Sequence, residues 1–181
     1  MHVRSVFALG CLVVVLSWSE LAHPSTQRAL KLATMVEKSD FIFVGTAVQT
    51  QSAWNAEHTR IYTRTTFAVE EYIKGGAGGA VVVETLGGVV GDVGMVVPGV
   101  PQFRRGEKNL LFISIGPRTG KHRVVGWSQG RFKIKKDPKT GQETLSRPMA
   151  GVSLLNQIDP NLKSIRYLDE MKEAIRQAKA R

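Results

Sequence analysis

Cysteine is nearly absent from this 181-residue chain, and the single one, Cys11, sits inside an apolar run. That run, Val6 to Leu16 (VFALGCLVVVL), follows Arg4 and spans 11 residues. A positive residue ahead of a short apolar stretch is the pattern of a secretory signal. A bilayer core needs about 20 apolar residues, so the run is too short for a membrane anchor. Ser17-Trp18-Ser19 supplies a small-x-small cleavage site, which predicts a signal over 1–19 and a single mature domain over 20–181. Cleavage after Ala22 is the alternative, and it puts Glu20 where a small residue is wanted. Leu12 to Leu16 continue the apolar run past Cys11, so the cysteine is expected to leave with the signal and not to carry lipid. Without it the exported chain has no disulfide, no thiolate-held zinc and no thiol nucleophile. The core alone must hold the fold, and a chain of this size buries enough surface for that.

Catalytic patterns are also lacking. His23, His58 and His122 have no second histidine three or four residues away, so no helical metal pair forms. No Gly-x-Ser-x-Gly elbow occurs. Asp92 reads as a turn residue, and the adjacent Glu70 and Glu71 are expected on opposite faces of a strand. Gly75 to Gly79 has a strand, not a helix, after it, so it closes a hairpin and does not cradle phosphate. These absences point to a chain with no catalytic residue, no metal and no cofactor.

Acidic residues are few: 15 against 25 Lys and Arg, a formal charge of +10. From Arg104 to Arg147 twelve Lys or Arg face only Glu107, Asp137 and Glu143, so this segment carries most of the excess. Such a bias suits acidic partners, or simply a solvated face.

What is present is mostly strand. Ser25 to Lys38 has helical spacing at Ala29, Leu32, Ala33 and Val36, with Ser25 or Thr26 as cap. Phe41 to Thr50 is apolar on both faces and then alternates, and residues 51–58 read as a polar loop. Ile61 to Ile73 alternates in β-branched and aromatic residues. Further strands are expected at 80–86, 93–97, 108–115, 122–127 and 130–136, with turns at Pro98-Gly99, Arg104 to Glu107 and Asp137 to Gly141. A closing helix over about 162–179 shows a stripe of Ile165, Leu168, Met171, Ile175 and Ala178. Five or six short strands between two helices predict a mainly β fold, a small OB-like barrel that closes its own edges. Val44, Phe67, Val69, Leu111, Phe112 and Ile134 are the expected barrel core.

Four stretches carry a resemblance: 39–48 (SDFIFVGTAV), 69–75 (VEEYIKG), 103–112 (FRRGEKNLLF) and 124–132 (VVGWSQGRF). Together they resemble a poorly characterised group of secreted bacterial β-barrel proteins, some of them companions or leading domains of matrixin-type metalloproteases. The order of elements is similar to the barrel of the netrin-like and tissue-inhibitor-of-metalloproteinases superfamily. That family's inhibitors place an N-terminal cysteine on the protease zinc and rely on disulfides, and neither feature carries over here. The resemblance implies a binding partner in the envelope or among secreted proteins.

One pattern read from the residues themselves points to a ligand. Arg131, Lys133 and Lys135 alternate with Phe132 and Ile134, so three charges share one strand face. Arg104 and Arg105 in a turn, and Trp127 just upstream, complete a candidate surface for an anionic ligand. Trp127 reads more readily as core than as a platform. Export argues against nucleic acid. The expectation is therefore a non-catalytic binding module in the periplasm or outside the cell. It is either the partner or regulator of an exported protease, or a binder of anionic lipid or polysaccharide.

Overall fold

The computed structural model describes residues 25–149 and 151–180. The expected signal with its cleavage sites, Cys11 and His23 lie outside the described residues.

The chain opens with strand β1 (Ser25–Gln27) and a short helix α1 (Leu32–Glu37). Two long strands follow, β2 (Phe41–Trp54) and β3 (Ile61–Lys74), then β4 (Ala80–Leu86). A small hairpin, β5 (Gly88–Val90) and β6 (Val93–Met95), precedes β7 (Lys108–Ile115) and β8 (His122–Val124). A 3-10 turn (Trp127–Gly130) leads into β9 (Arg131–Lys136), β10 (Glu143–Ser146) and β11 (Val152–Leu154). Helices α2 (Pro160–Ser164) and α3 (Leu168–Lys179) close the chain.

Strands β2, β3, β4, β8 and β7 form a closed five-stranded barrel. Closure rests on β8, which pairs antiparallel with β7 and meets β4 in parallel at one bridge, Val83 with His122. A five-strand Greek-key ring of this kind is the OB-like architecture. The first half of β7 pairs instead with β9, so β9 and β10 extend the sheet beyond the barrel.

Two apolar clusters explain why the start of β2 is apolar on both faces. Phe41 and Phe43 point into the barrel with Phe67, Leu111 and Ile113, all below a tenth exposed. Ile42 and Val44 point outward, where α1 and α3 cover them with Met35, Met171 and Ile175. The expected core residues divide accordingly. Phe67 and Leu111 line the barrel, Val69 packs against them half-buried, and Val44, Phe112 and Ile134 lie under the helices.

Several boundaries differ from the sequence reading. Ser25 to Lys38 is not one helix: β1 pairs in parallel with β11. The Ala29, Leu30 and Leu32 N–H groups donate to side chains of Asn156, Gln129 and Asp159 at 2.8, 2.8 and 3.0 Å. These distant acceptors satisfy the backbone that a first helical turn would leave orphaned, so the helix starts only at Leu32. Residues 51–54 are strand, not loop, because ladder hydrogen bonds do not depend on side-chain polarity. The turn is confined to 55–60, where the Asn55 side chain accepts the Thr59 and Arg60 N–H groups at 2.8 and 2.7 Å.

The closing helix is broken as well. The Arg166 carbonyl accepts the Leu145 N–H, and the Glu170 carboxylate takes the N–H groups of Arg166 and Tyr167 to start α3 afresh. Its expected stripe holds: Leu168, Met171 and Ile175 are buried, and Ile165 and Ala178 pack against them.

Bulges between β2 and β3 reset the side-chain phase. As one result Glu70 and Glu71, expected on opposite faces, both reach the outer side. There Glu70 pairs with Lys108 and Glu71 with Lys172 of α3, both at 2.6 Å.

Candidate functional site

The alternation in β9 is as the sequence implies: Phe132 and Ile134 are buried under the helices, and the basic residues occupy the other face. That face is largely engaged within the protein. Arg131 is 6% exposed and lies with its guanidinium carbon 4.8 Å from the Phe103 ring centre. It donates to Asn109 Oδ1 at 3.0 Å, the Gln102 carbonyl at 2.6 Å and Glu107 Oε2 at 2.8 Å. Lys133 donates to Glu107 Oε1. Glu107 also accepts the Arg104 N–H at 3.3 Å, which closes the turn carrying the exposed Arg104 and Arg105 side chains.

Burial pushes the Glu107 carboxyl up, but hydrogen bonds from Lys133 and the Arg104 backbone, with the charges of Arg131 and Lys133, leave it below the ordinary carboxylate range. Burial lowers the Arg131 value, and Glu107 opposes this. Lys135 is exposed and makes no ion pair among the described residues. The expected surface thus separates into a Glu107-centred knot holding Arg131 and Lys133, the solvent-facing Arg104, Arg105 and Lys135, and Trp127 elsewhere.

Trp127 is not core. It is 47% exposed and lines a cleft of about 340 Å³. The cleft opens where the single β4–β8 bridge ends: Thr85 and Leu86 of β4 and Val124 and Trp127, at and after β8, line it together with Pro101.

The backbone under Trp127 is unusual. Gly126 and Trp127 are both left-handed, at φ +62° and +60°. A bulky residue in that region is an outlier costing about 1–3 kcal/mol, and it persists only where surrounding bonds fix it. Here the Gln129 N–H donates to Gly126 O at 3.1 Å, Gly130 to Val125 O at 3.0 Å and Ser128 to Gly99 O at 3.1 Å. The Gly99 contact depends on the expected Pro98-Gly99 turn, which forms with Gly99 at φ +82° and Val100 bonded to Val97.

The cleft is electrically asymmetric. Arg60, at the β2–β3 turn, and Arg123 on β8 are exposed at its rim and make no side-chain ion pair among the described residues. The one carboxylate, Glu84, is buried. It is balanced by Lys121 at 2.7 Å, an ion pair without hydrogen-bond alignment, and by Arg64 at 3.4 Å. Lys121 also stands 5.4 Å from the Tyr62 ring centre, so one face of that ring is occupied. Two free guanidiniums and a compensated carboxylate leave the cleft net positive. Sequence reasoning missed Arg60, Tyr62 and Arg123, because only folding brings residues 60–62 and 123–127 together.

Among the described residues no group of three or more His, Cys, Asp or Glu is placed to hold a metal ion. No helix among them is long and apolar enough to cross a membrane. Comparison with protein-family models and with curated proteins finds no match to this chain.

Proposed function

We propose that this chain is an exported, non-catalytic binding module that receives its ligand in the Trp127 cleft. The observation that carries this reading is an indole held half out of the protein on a strained, multiply fixed backbone. Such strain clusters at ligand sites, where the rest of the fold offsets its cost. The position supports it too, since OB-like barrels bind through the face of their second and third strands and the flanking loops. Tyr62 and Glu84 stand on those strands, β3 and β4. Fold likeness supports this location and says nothing of the ligand.

The resemblance to companions of matrixin-type proteases supports an envelope or secreted protein as partner. The second reading, an anionic lipid or polysaccharide, draws on one specific observation: the uncompensated Arg60 and Arg123 at the cleft rim. The basic strand face proposed from sequence has less to offer it, because Glu107 already holds Arg131 and Lys133.

Retention of the purified chain on isolated cell envelope tests the cleft. Trp127→Ala and the double change Arg60→Gln/Arg123→Gln should each lower retention by roughly tenfold, the scale of one lost charge-assisted or aromatic contact. Circular dichroism should report the parent fold. Parent-level retention by both folded variants would refute the cleft as the site.

A further inference from the structure

We propose that the cleft takes one acidic sugar residue of an anionic polysaccharide, resting on the reading above that the cleft is the binding site. Four features of the cleft select this chemistry. The first is the single free platform. Trp127 is 47% exposed in the cleft lining with no cation over its ring among the described residues, whereas Lys121 covers a face of Tyr62. One indole suits one pyranose ring, whose axial C–H groups pack on a π face. A single-stranded nucleic acid needs successive platforms for successive bases.

The second is the pair of guanidiniums. Arg60 and Arg123 flank the ring site and are both arginine, the residue whose planar fork matches carboxylate or sulfate in two parallel bonds. The third is the polar lining. Tyr62 lines the cleft, and its hydroxyl makes no hydrogen bond among the described residues, so it is available to a sugar hydroxyl. The fourth is size and shape. A volume of about 340 Å³ lies near the low end of ligand pockets, enough for one ring while a polymer continues across the open mouth. A flat lipid surface would not reach a concave site of this kind.

The test uses the full mature chain on four immobilised probes: polygalacturonate, neutral dextran, oligodeoxythymidylate and phosphatidylglycerol vesicles. The proteins are the parent, Trp127→Ala, Arg60→Gln/Arg123→Gln, and the charge-matched Lys136→Gln/Lys139→Gln, which alters only exposed residues of the β9–β10 hairpin. The expected result is retention on polygalacturonate and not on dextran. Both cleft variants should weaken it at least about tenfold and the hairpin variant should match the parent. Equal retention on dextran, lost in Trp127→Ala, would overturn the acidic chemistry and keep the cleft. Preference for the oligonucleotide or the vesicles would overturn the sugar assignment. Polygalacturonate bound equally by parent and cleft variants would overturn this proposal and count against the cleft itself. Retention on no probe would overturn the acidic-sugar assignment, leaving the envelope assay to judge the cleft.

Discussion

Replacing Trp127 by alanine and, separately, by glycine isolates the backbone strain from the ring. Both changes remove the indole and its partial burial, so that contribution cancels in the comparison. What remains is the φ of +60°. A left-handed conformation costs an L-residue roughly 1–2 kcal/mol, and glycine escapes it. Against this, glycine in place of alanine adds unfolded-state entropy that favours unfolding by about 0.4–1 kcal/mol. The difference leaves Trp127→Gly more stable than Trp127→Ala by about 1 kcal/mol, opposite in sign to the usual ranking of the two residues. For a domain of this size that corresponds to about 2–4 °C in Tm. Urea unfolding of both variants, with equal slopes, measures it. An alanine variant more stable than the glycine variant by the usual margin of about 0.4–1 kcal/mol would show that the backbone at Trp127 is unstrained. The argument for a held, ligand-facing indole would then lose its main support.

Two further outcomes follow from the core and the charge knot. Leu111 is fully buried inside the barrel, so Leu111→Ala should cost about 2–5 kcal/mol in urea unfolding; a loss below about 0.5 kcal/mol, typical of surface sites, would contradict its placement. Glu107→Gln leaves the buried Arg131 without its counter-charge and should cost about 3–5 kcal/mol, the range for breaking a buried pair. The same carboxyl fixes a pH dependence. Its folded-state pKa is depressed, so its stabilisation is complete above the ordinary carboxylate range and fades as pH falls through the lower folded value. Parent Tm should therefore approach that of Glu107→Gln below about pH 4, and a constant gap down to pH 2 would refute the assignment.

Elements governed by local periodicity were legible in the sequence. The α3 stripe, the alternation in β9 and the glycine-rich β3–β4 hairpin each follow from side-chain spacing within one segment. Elements decided by distant partners were not. The first helix is cut short by acceptors from Gln129, Asn156 and Asp159, which no local pattern announces. The bulges in β2 and β3 change which residues face inward: period-two counting puts Ile73 and Glu71 on the same face as Phe67, whereas Ile73 lies under the helices and Glu71 pairs with Lys172 outside the barrel. Trp127 was legible as a residue of interest but not as an exposed one. Its exposure depends on two consecutive left-handed residues, and glycine at 126 hints at only the first.

The distribution of charge ties these points together. The surplus of base between Arg104 and Arg147 reads in sequence as one binding stripe, yet the fold divides it into paired and unpaired charges. Lys108, Lys121, Arg131 and Lys133 are held by Glu70, Glu84, Glu107 and Glu143, and Arg147 donates to the Gln129 carbonyl at 3.1 Å. Without a disulfide, these internal pairs help pin β9 and β10 to the barrel. The residues that remain unpaired, such as Arg123 and Lys135, are the ones able to attract an anion from solvent. Attraction alone does not select a site, since exposed charges are screened over about 10 Å at 0.1 M salt. Arg123 differs from Lys135 because it lines the same cleft as Trp127 and Arg60, where exposed apolar surface and uncompensated charge meet. That coincidence of apolar surface and uncompensated charge, rather than the count of basic residues, locates the candidate site.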